Sequence, residues 1–263
     1  LWDSVDLGFK PTKRTWGAEV FPGSSLPNAM VQVSPVTKFH SGAGYQYEDS
    51  VIYGFTHTNK GHWNLCHIPL LPVTGTPTPG DYCSPFSHER ESAAPGYYQV
   101  FLDRYGVDAQ LSSTLRCAFH KYTYPAGAAP AVLADLQRSN EHVRAWDIRK
   151  EGDNVFAGWQ QTGEKMYFYA VANRPVTGIE PVVEGDREVR IVRFGEGDGA
   201  LELRIGFSFV SEKNARENLE AEMLGKSFAE VRSEATATWN DLLGRIRVEG
   251  GTEREKGLFY SSL

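Results

Sequence analysis

The chain has no CxxC pair, no Asp-x-Asp loop, no His-x-x-x-His pair and no Asn-x-Ser/Thr sequon. The first three absences argue against zinc, thioredoxin-type and self-contained calcium sites, which need their ligands clustered at short spacing. The fourth excludes N-glycosylation of this sequence. Three cysteines, Cys66, Cys83 and Cys117, cannot all pair with one another. One disulfide with a free thiol, or three thiols buried as small apolar groups, stay open. Positive charge is also in deficit. Lys and Arg number 27 against 33 Asp and Glu, a formal charge of −6, whereas a nucleic-acid binder needs a basic face. No apolar run approaches the roughly 20 residues that span a bilayer. The longest, around Ile68 to Val73, contains two prolines. No charged-then-apolar leader opens the chain, so any signal peptide is expected to have been removed.

What remains is a globular composition. With 263 residues, 41% of them hydrophobic, the chain can bury a core without disulfide or metal. Up to Val210 short alternating or β-branched runs are separated by Gly, Pro, Asn and Asp. Strands are predicted at 31–33, 97–102, 109–115, 118–124, 131–135, 155–159, 166–171, 189–194 and 201–210. Gly152-Asp153-Asn154 and Glu196 to Gly199 read as hairpin turns, and Trp146 and Trp159 as core aromatics. So many short strands predict a mostly β fold, a large β-sandwich.

After Val210 the period becomes helical. Ser211 caps a helix over 212–224 and Ser227 one over 228–243. Thr252 with Glu255 forms a capping-box signature that opens a third over 253–263. Its stripe of Leu258, Phe259 and Leu263 has no obvious partner in the chain, so the C-terminus reads as a cut.

Several blocks, in order, carry a family resemblance. They are Phe21-Pro22-Gly23-Ser24-Ser25-Leu26-Pro27 through Pro35, Gly44-Tyr45-Gln46-Tyr47, and Ile52-Tyr53-Gly54-Phe55-Thr56-His57-Thr58. Pro69-Leu70-Leu71-Pro72, Phe86-Ser87-His88-Glu89, Pro95-Gly96-Tyr97-Tyr98 and the stretch from Arg116 to Pro125 follow, and then Val248 to Thr252 with Phe259-Tyr260. Together they resemble the N-terminal domain of glycoside hydrolase family 92, calcium-dependent exo-α-mannosidases. The resemblance implies a β-sandwich, called a supersandwich, over 1–210. A helical linker over 211–250 and the truncated start of an (α/α)6 catalytic domain over 251–263 would follow. It implies a parent enzyme that removes terminal α-linked mannose with inversion, outside the cytoplasm, in the periplasm or beyond the cell. Its partners would be mannose-containing glycans and the C-terminal (α/α)6 domain, with no nucleic acid and no membrane span. Acid, base and most calcium ligands would lie in that C-terminal domain, leaving no catalytic residue and no metal site in this chain, which alone would be inactive.

An inverting glycosidase sets two carboxyls about 6.5–9.5 Å apart. Glu48-Asp49, Glu89 with Glu91, and Asp103 with Asp108 are the local candidates, but 33 acids make such neighbours common. Glu89 is expected to pack or hydrogen-bond near the Pro95-Gly96-Tyr97 turn. His57, His62 and His67 recur every five residues, which places them on alternating faces of a strand and disfavours a metal. The substrate-contact candidates are His62, Trp63 and Asn64, on a loop where the resembled family usually has a glycine-rich segment, together with Phe21 and Gly23. An indole stacks on the apolar face of a sugar, and His and Asn both donate to and accept from hydroxyls. The competing reading makes Trp63 a core aromatic and His62 a surface residue. The competing functions are a stand-alone carbohydrate-binding module and a purely structural domain.

Overall fold

Strands with one apolar face must bury it, and two antiparallel sheets packed face to face do so here. The computed structural model describes residues 21–60 and 63–262. In chain order the strands begin with β1 (Ser24–Ser25), β2 (Val31–Val36), β3 (Val51–Ile52), β4 (Gly54–Lys60), β5 (Trp63–Asn64) and β6 (Leu70–Val73). They continue with β7 (Ser84–Pro85), β8 (Glu91–Ala94), β9 (Tyr97–Leu102), β10 (Val107–Ser113), β11 (Cys117–Thr123) and β12 (Ala131–Ala134). β13 (Ala145–Gly152), β14 (Val155–Gln161), β15 (Lys165–Ala172), β16 (Val176–Glu184), β17 (Arg187–Phe194) and β18 (Leu201–Ser208) complete them. Helices α1 (Glu212–Glu222), α2 (Phe228–Leu243) and α3 (Glu253–Ser261) follow.

One sheet runs β1-β2-β4-β6-β12-β17-β16, with β5 folded back on β4. The other runs β13-β14-β15-β18-β11-β10-β9-β8. β3 and β7 form a separate two-stranded patch. The inner faces meet in one core, with Phe55, Leu70, Val132 and Val192 from the first sheet against Leu111, Tyr122, Phe168 and Ile205 from the second. β15 shows the rule, since its side chains alternate strictly between half-buried and buried.

α1 and α2 cover the outer face of the second sheet. Phe228 and Val231 of α2 join Tyr97, Cys117 and Phe119, and Leu219 of α1 completes that smaller cluster. Gly206 allows the close approach of α1, because a Cβ there would sit 2.1 Å from the Ala215 carbonyl oxygen. Ser227 and Thr252 both close full capping boxes, with Glu230 and Glu255. Among the described residues no helix is long and apolar enough to cross a membrane.

Some expectations need correction. β17 and β18 lie in different sheets, so Glu196 to Gly199 crosses between layers and is not a hairpin turn. Trp159 is not in the core. It is half-buried on the outer face, with the Lys165 ammonium 3.8 Å from its ring centroid. All three cysteines are free thiols, with Cys66 and Cys117 buried and Cys83 partly exposed.

The core also holds two charge-capable rings. His57 of β4 and His120 of β11 meet at 2.9 Å through their Nε2 atoms, and His120 Nδ1 lies 2.6 Å from the Tyr122 hydroxyl. Burial pushes His57 down to about 3, and burial then the neighbouring His57 ring hold His120 well below its ordinary value. In the unfolded chain both protonate below about pH 6.5. The unfolded state then binds more protons, so stability present above that pH is lost as pH falls toward about 3. The unfolding free energy from denaturant titrations is expected to drop between about pH 7 and pH 5, by up to about 1.4 kcal/mol per pH unit per ring. His57→Gln should flatten that slope. An equal slope in the variant would show that the pair does not carry the acid sensitivity.

Candidate functional site

β4 does not stop at the sheet edge. It runs on to Lys60, and the chain returns through β5, pairing Lys60 with Trp63 and Asn59 with Asn64. The return is then bent hard. Cys66 (φ 54°) and Ile68 (φ 53°) both occupy the left-handed region. For a β-branched residue such as Ile68 this conformation is an outlier, costing on the order of 1–3 kcal/mol.

Buried polar side chains hold the bend. Asn64 Oδ1 accepts from the Cys66 amide at 2.7 Å, and its Nδ2 donates to the Ala43 carbonyl at 3.2 Å. The Asn64 amide donates to the Gly42 carbonyl at 2.8 Å. From the other side Asn140 donates through Nδ2 to the Asn64 carbonyl at 2.6 Å, and Ser139 donates to the Leu65 carbonyl at 2.6 Å. Ile68 is fixed by its own amide, which donates to Gln160 Oε1 at 2.8 Å. The Gln160 amide nitrogen in turn donates to the Leu136 and Arg138 carbonyls, each at 2.9 Å. Each such bond contributes about 1 kcal/mol net, so together they outweigh the strain.

His67 completes the support. Thr162 donates to Glu141 Oε2 at 2.6 Å, so its oxygen accepts from His67 Nε2 at 3.0 Å. Nδ1 is left to accept from the Thr58 hydroxyl at 2.8 Å. Both ring nitrogens are thus satisfied by a neutral imidazole, and burial lowers its tendency to protonate while Glu141 opposes that.

The neighbouring loop, residues 37–50, is fixed against the same hairpin. His40 (φ 60°) donates its amide to Asn140 Oδ1 at 2.6 Å, so Asn140 bridges the two loops. Farther on, Glu91 is a hub. It accepts from Tyr98 at 2.6 Å, from Tyr45 at 3.0 Å and from His88 Nδ1 at 2.5 Å. Burial, then the Glu91 charge, raises both phenols above their ordinary range and keeps them as donors. His88 also donates through Nε2 to the Tyr47 carbonyl at 2.7 Å and stacks on the Tyr47 ring, centroids 4.0 Å apart. Of the two carboxylates in that segment, Glu89 is exposed, while Glu91 makes the internal bonds. A cleft of about 500 Å3 opens between residues 37–40 and 48–53, with Arg138 on its wall.

The substrate-contact candidates separate. Trp63 is half-buried at the hairpin tip and belongs to neither core cluster. Asn64 is buried and its amide is committed inside the loop, where it positions the hairpin. Gly23 is likewise buried, and a Cβ there would lie 1.9 Å from the Val33 carbonyl oxygen. It packs closely on β2, where no side chain would fit. Phe21 is half-buried at the start of the described residues, and His62 lies outside them. Sequence reasoning missed Asn140, Ser139 and Gln160. The signal for Gln160 was available: it is a polar residue at an inward position of an alternating strand, and such a group must find partners. Among the described residues no three His, Cys, Asp or Glu side chains come close enough to hold a metal ion.

Comparison with known proteins agrees with this architecture. The glycosyl hydrolase family 92 N-terminal domain model matches residues 11–219, and that family's catalytic domain model matches 214–263. An uncharacterized secreted glycosidase of Arthroderma benhamiae is 25% identical over 288 aligned positions, covering 89% of this chain and 37% of that protein. A family GH92 alpha-mannosidase of Bacteroides thetaiotaomicron superposes with a TM-score of 0.81 at 24% identity, over 89% of this chain and 37% of that one. A GH92 inverting mannosidase of the same species gives 0.78 at 24% identity, over 89% and 35%. The chain thus spans little more than a third of the length of these relatives. The match over residues 11–219 is more than half of the chain, and it places the protein in glycosyl hydrolase family 92, as an N-terminal domain.

Proposed function

We propose that this chain is the N-terminal β-sandwich portion of an exo-acting α-mannosidase that works outside the cytoplasm on mannose-containing glycans. In this reading residues 1–210 form the sandwich, 211–250 the linker and 251–263 the start of an (α/α)6 catalytic domain. The observation that carries it is the hairpin after β4: a strained turn, held by buried Asn64, Asn140, Ser139 and Gln160, that ends in a half-buried Trp63. Strained, over-determined segments concentrate at ligand clamps. A rigid aromatic on such a segment loses little entropy when a sugar stacks on it.

The work of this chain would be to form one wall of the substrate pocket, orient the glycan and exclude water. Hydrolysis with inversion, and the dependence on calcium, would reside in the longer enzyme, with acid, base and ion supplied by its catalytic domain. No step is assigned to a carboxylate of this chain.

Two outcomes follow from this division. The 263-residue chain alone should not cleave an aryl α-mannoside, even with calcium present. Turnover above buffer, abolished by substituting one of its carboxylates, would contradict the division of labour. In the longer enzyme Trp63→Ala should remove an apolar platform worth about 1.5–3 kcal/mol, on the order of ten- to a hundredfold in kcat/KM. Efficiency on two mannobiose linkages and thermal stability should be measured together. Unchanged kinetics on both, in a stably folded variant, would remove Trp63 from the pocket.

A further inference from the structure

The outer face of the second sheet carries a groove that the proposed function leaves unused. Helix α2 buries Phe228, Val231 and Ala235. Arg232, Ser233, Thr236 and Asn240 recur at three- and four-residue spacing and share another face of the same helix. They border a groove of about 600 Å3 whose far wall holds Gln110 of β10 and Lys121 of β11, directly paired across the ladder. No carboxylate lines this groove, although the chain as a whole carries a formal charge of −6.

Both cations of the groove are placed by aromatic rings and not by acids. The Arg232 guanidinium carbon lies 3.6 Å from the Tyr97 ring centroid, and the Lys121 ammonium 5.6 Å from that of Phe228. Those two rings meet edge-on with centroids 6.3 Å apart, so the cations flank one aromatic pair. Neither makes an ion pair of 4 Å or less among the described residues. The acids of the surrounding strands and helix are engaged elsewhere. Glu234 takes Lys226 at 2.6 Å, Glu202 takes Arg204 at 3.2 Å, and Glu230 closes the Ser227 capping box. Asp108 accepts from Gln99 at 2.8 Å on one oxygen and from Gln110 at 2.9 Å on the other. Two cations are therefore left uncompensated in one groove.

Charge and geometry select the class of ligand. A guanidinium held over a ring keeps its N–H edge free, and that fork matches two oxygens of one anion. The Ser233 hydroxyl and the Asn240 side-chain amide have no partner among the described residues and add donors to the same wall. The two cations repel a metal ion, and a neutral ligand would leave both unanswered. We propose that this groove binds an oxyanion, a carboxylate, sulfate or phosphate group, through the Arg232 fork. Lys121 supplies the attracting field, and Ser233 and Asn240 supply further hydrogen bonds. The groove belongs to α2 and the second sheet, whereas the Trp63 hairpin extends from β4 in the first. The groove thus reads charge on a ligand, apart from the mannose contact assigned to the hairpin.

The test is titration of the isotopically labelled 263-residue chain with inorganic phosphate, with D-glucuronate and with neutral D-glucose, followed by amide chemical shifts. Ionic strength is held constant with sodium chloride, so that general screening does not register as binding. Saturable shifts with a millimolar-range Kd are expected at residues 110, 121 and 232–240 for at least one of the two anions, and none for glucose. A response to phosphate alone would assign the groove to a tetrahedral anion, and a response to glucuronate to a carboxylate borne by a sugar; either supports the proposal. Arg232→Gln should weaken binding on the order of tenfold, as loss of a charge-assisted hydrogen bond does. Lys121→Gln should weaken it as well, while Trp63→Ala leaves it unchanged. The unsubstituted chain's own shift map locates the site even if a variant fails to fold. No saturable shift with either anion, equal shifts with glucose, or binding indifferent to Arg232→Gln would overturn the proposal. The glycosidase reading would survive any of these results, because it is judged on turnover by the longer enzyme.

Discussion

The buried amide of Gln160 is the contact on which the candidate site depends. It stands on the inner face of β14, in the second sheet, yet its bonds go to Ile68, Leu136 and Arg138 in segments that flank the first. A buried amide without partners would be costly, so packing the two sheets and bending the chain at Ile68 are one event. That bend follows the hairpin in which Trp63 pairs with Lys60. The same side chain fixes the backbone of Arg138, and so one wall of the neighbouring cleft. Fold and site share their supports.

The opposite face of the molecule shows the same economy of contacts. α1 and α2 cover the outer surface of the second sheet only because glycines admit them. Gly206 lies under Ala215, and Gly96 (φ 78°) lies under Ala235, where a Cβ would meet the alanine methyl at 2.6 Å. Trp239 then ties α2 back to the start of the first sheet, donating through Nε1 to the Ser25 carbonyl at 2.7 Å. The segment from Phe21 to Ser25 is thereby a brace between layers. This explains why Gly23 is buried against β2.

Regular periodicity made most of the fold legible. β9 at Tyr97–Leu102 and α2 at Phe228–Leu243 match their predicted limits to the residue. The strands that periodicity missed include the outer edges. β13 carries Asp147, Arg149, Lys150 and Glu151, and β16 contains Gly178 and Pro181. Edge strands are kept polar or broken by proline so that they do not pair with other chains, and that removes the apolar alternation by which strands are read. The site was half legible. Its aromatic tip was visible as a Trp in a polar loop. Its supports come from residues 64, 139, 140 and 160, whose proximity only the sheet order reveals. The family blocks around Tyr45 and His88 likewise gave no hint that both converge on Glu91.

The central claim is that the Trp63 hairpin is a rigid platform and not a mobile surface loop. Amide hydrogen exchange of the 263-residue chain at Cys66 and Ile68 tests it directly, because those two N–H groups donate to Asn64 and Gln160 inside the bend. The account predicts protection comparable to that of the central strands β11 and β18. Exchange as fast as that of the exposed 195–200 connection would contradict it.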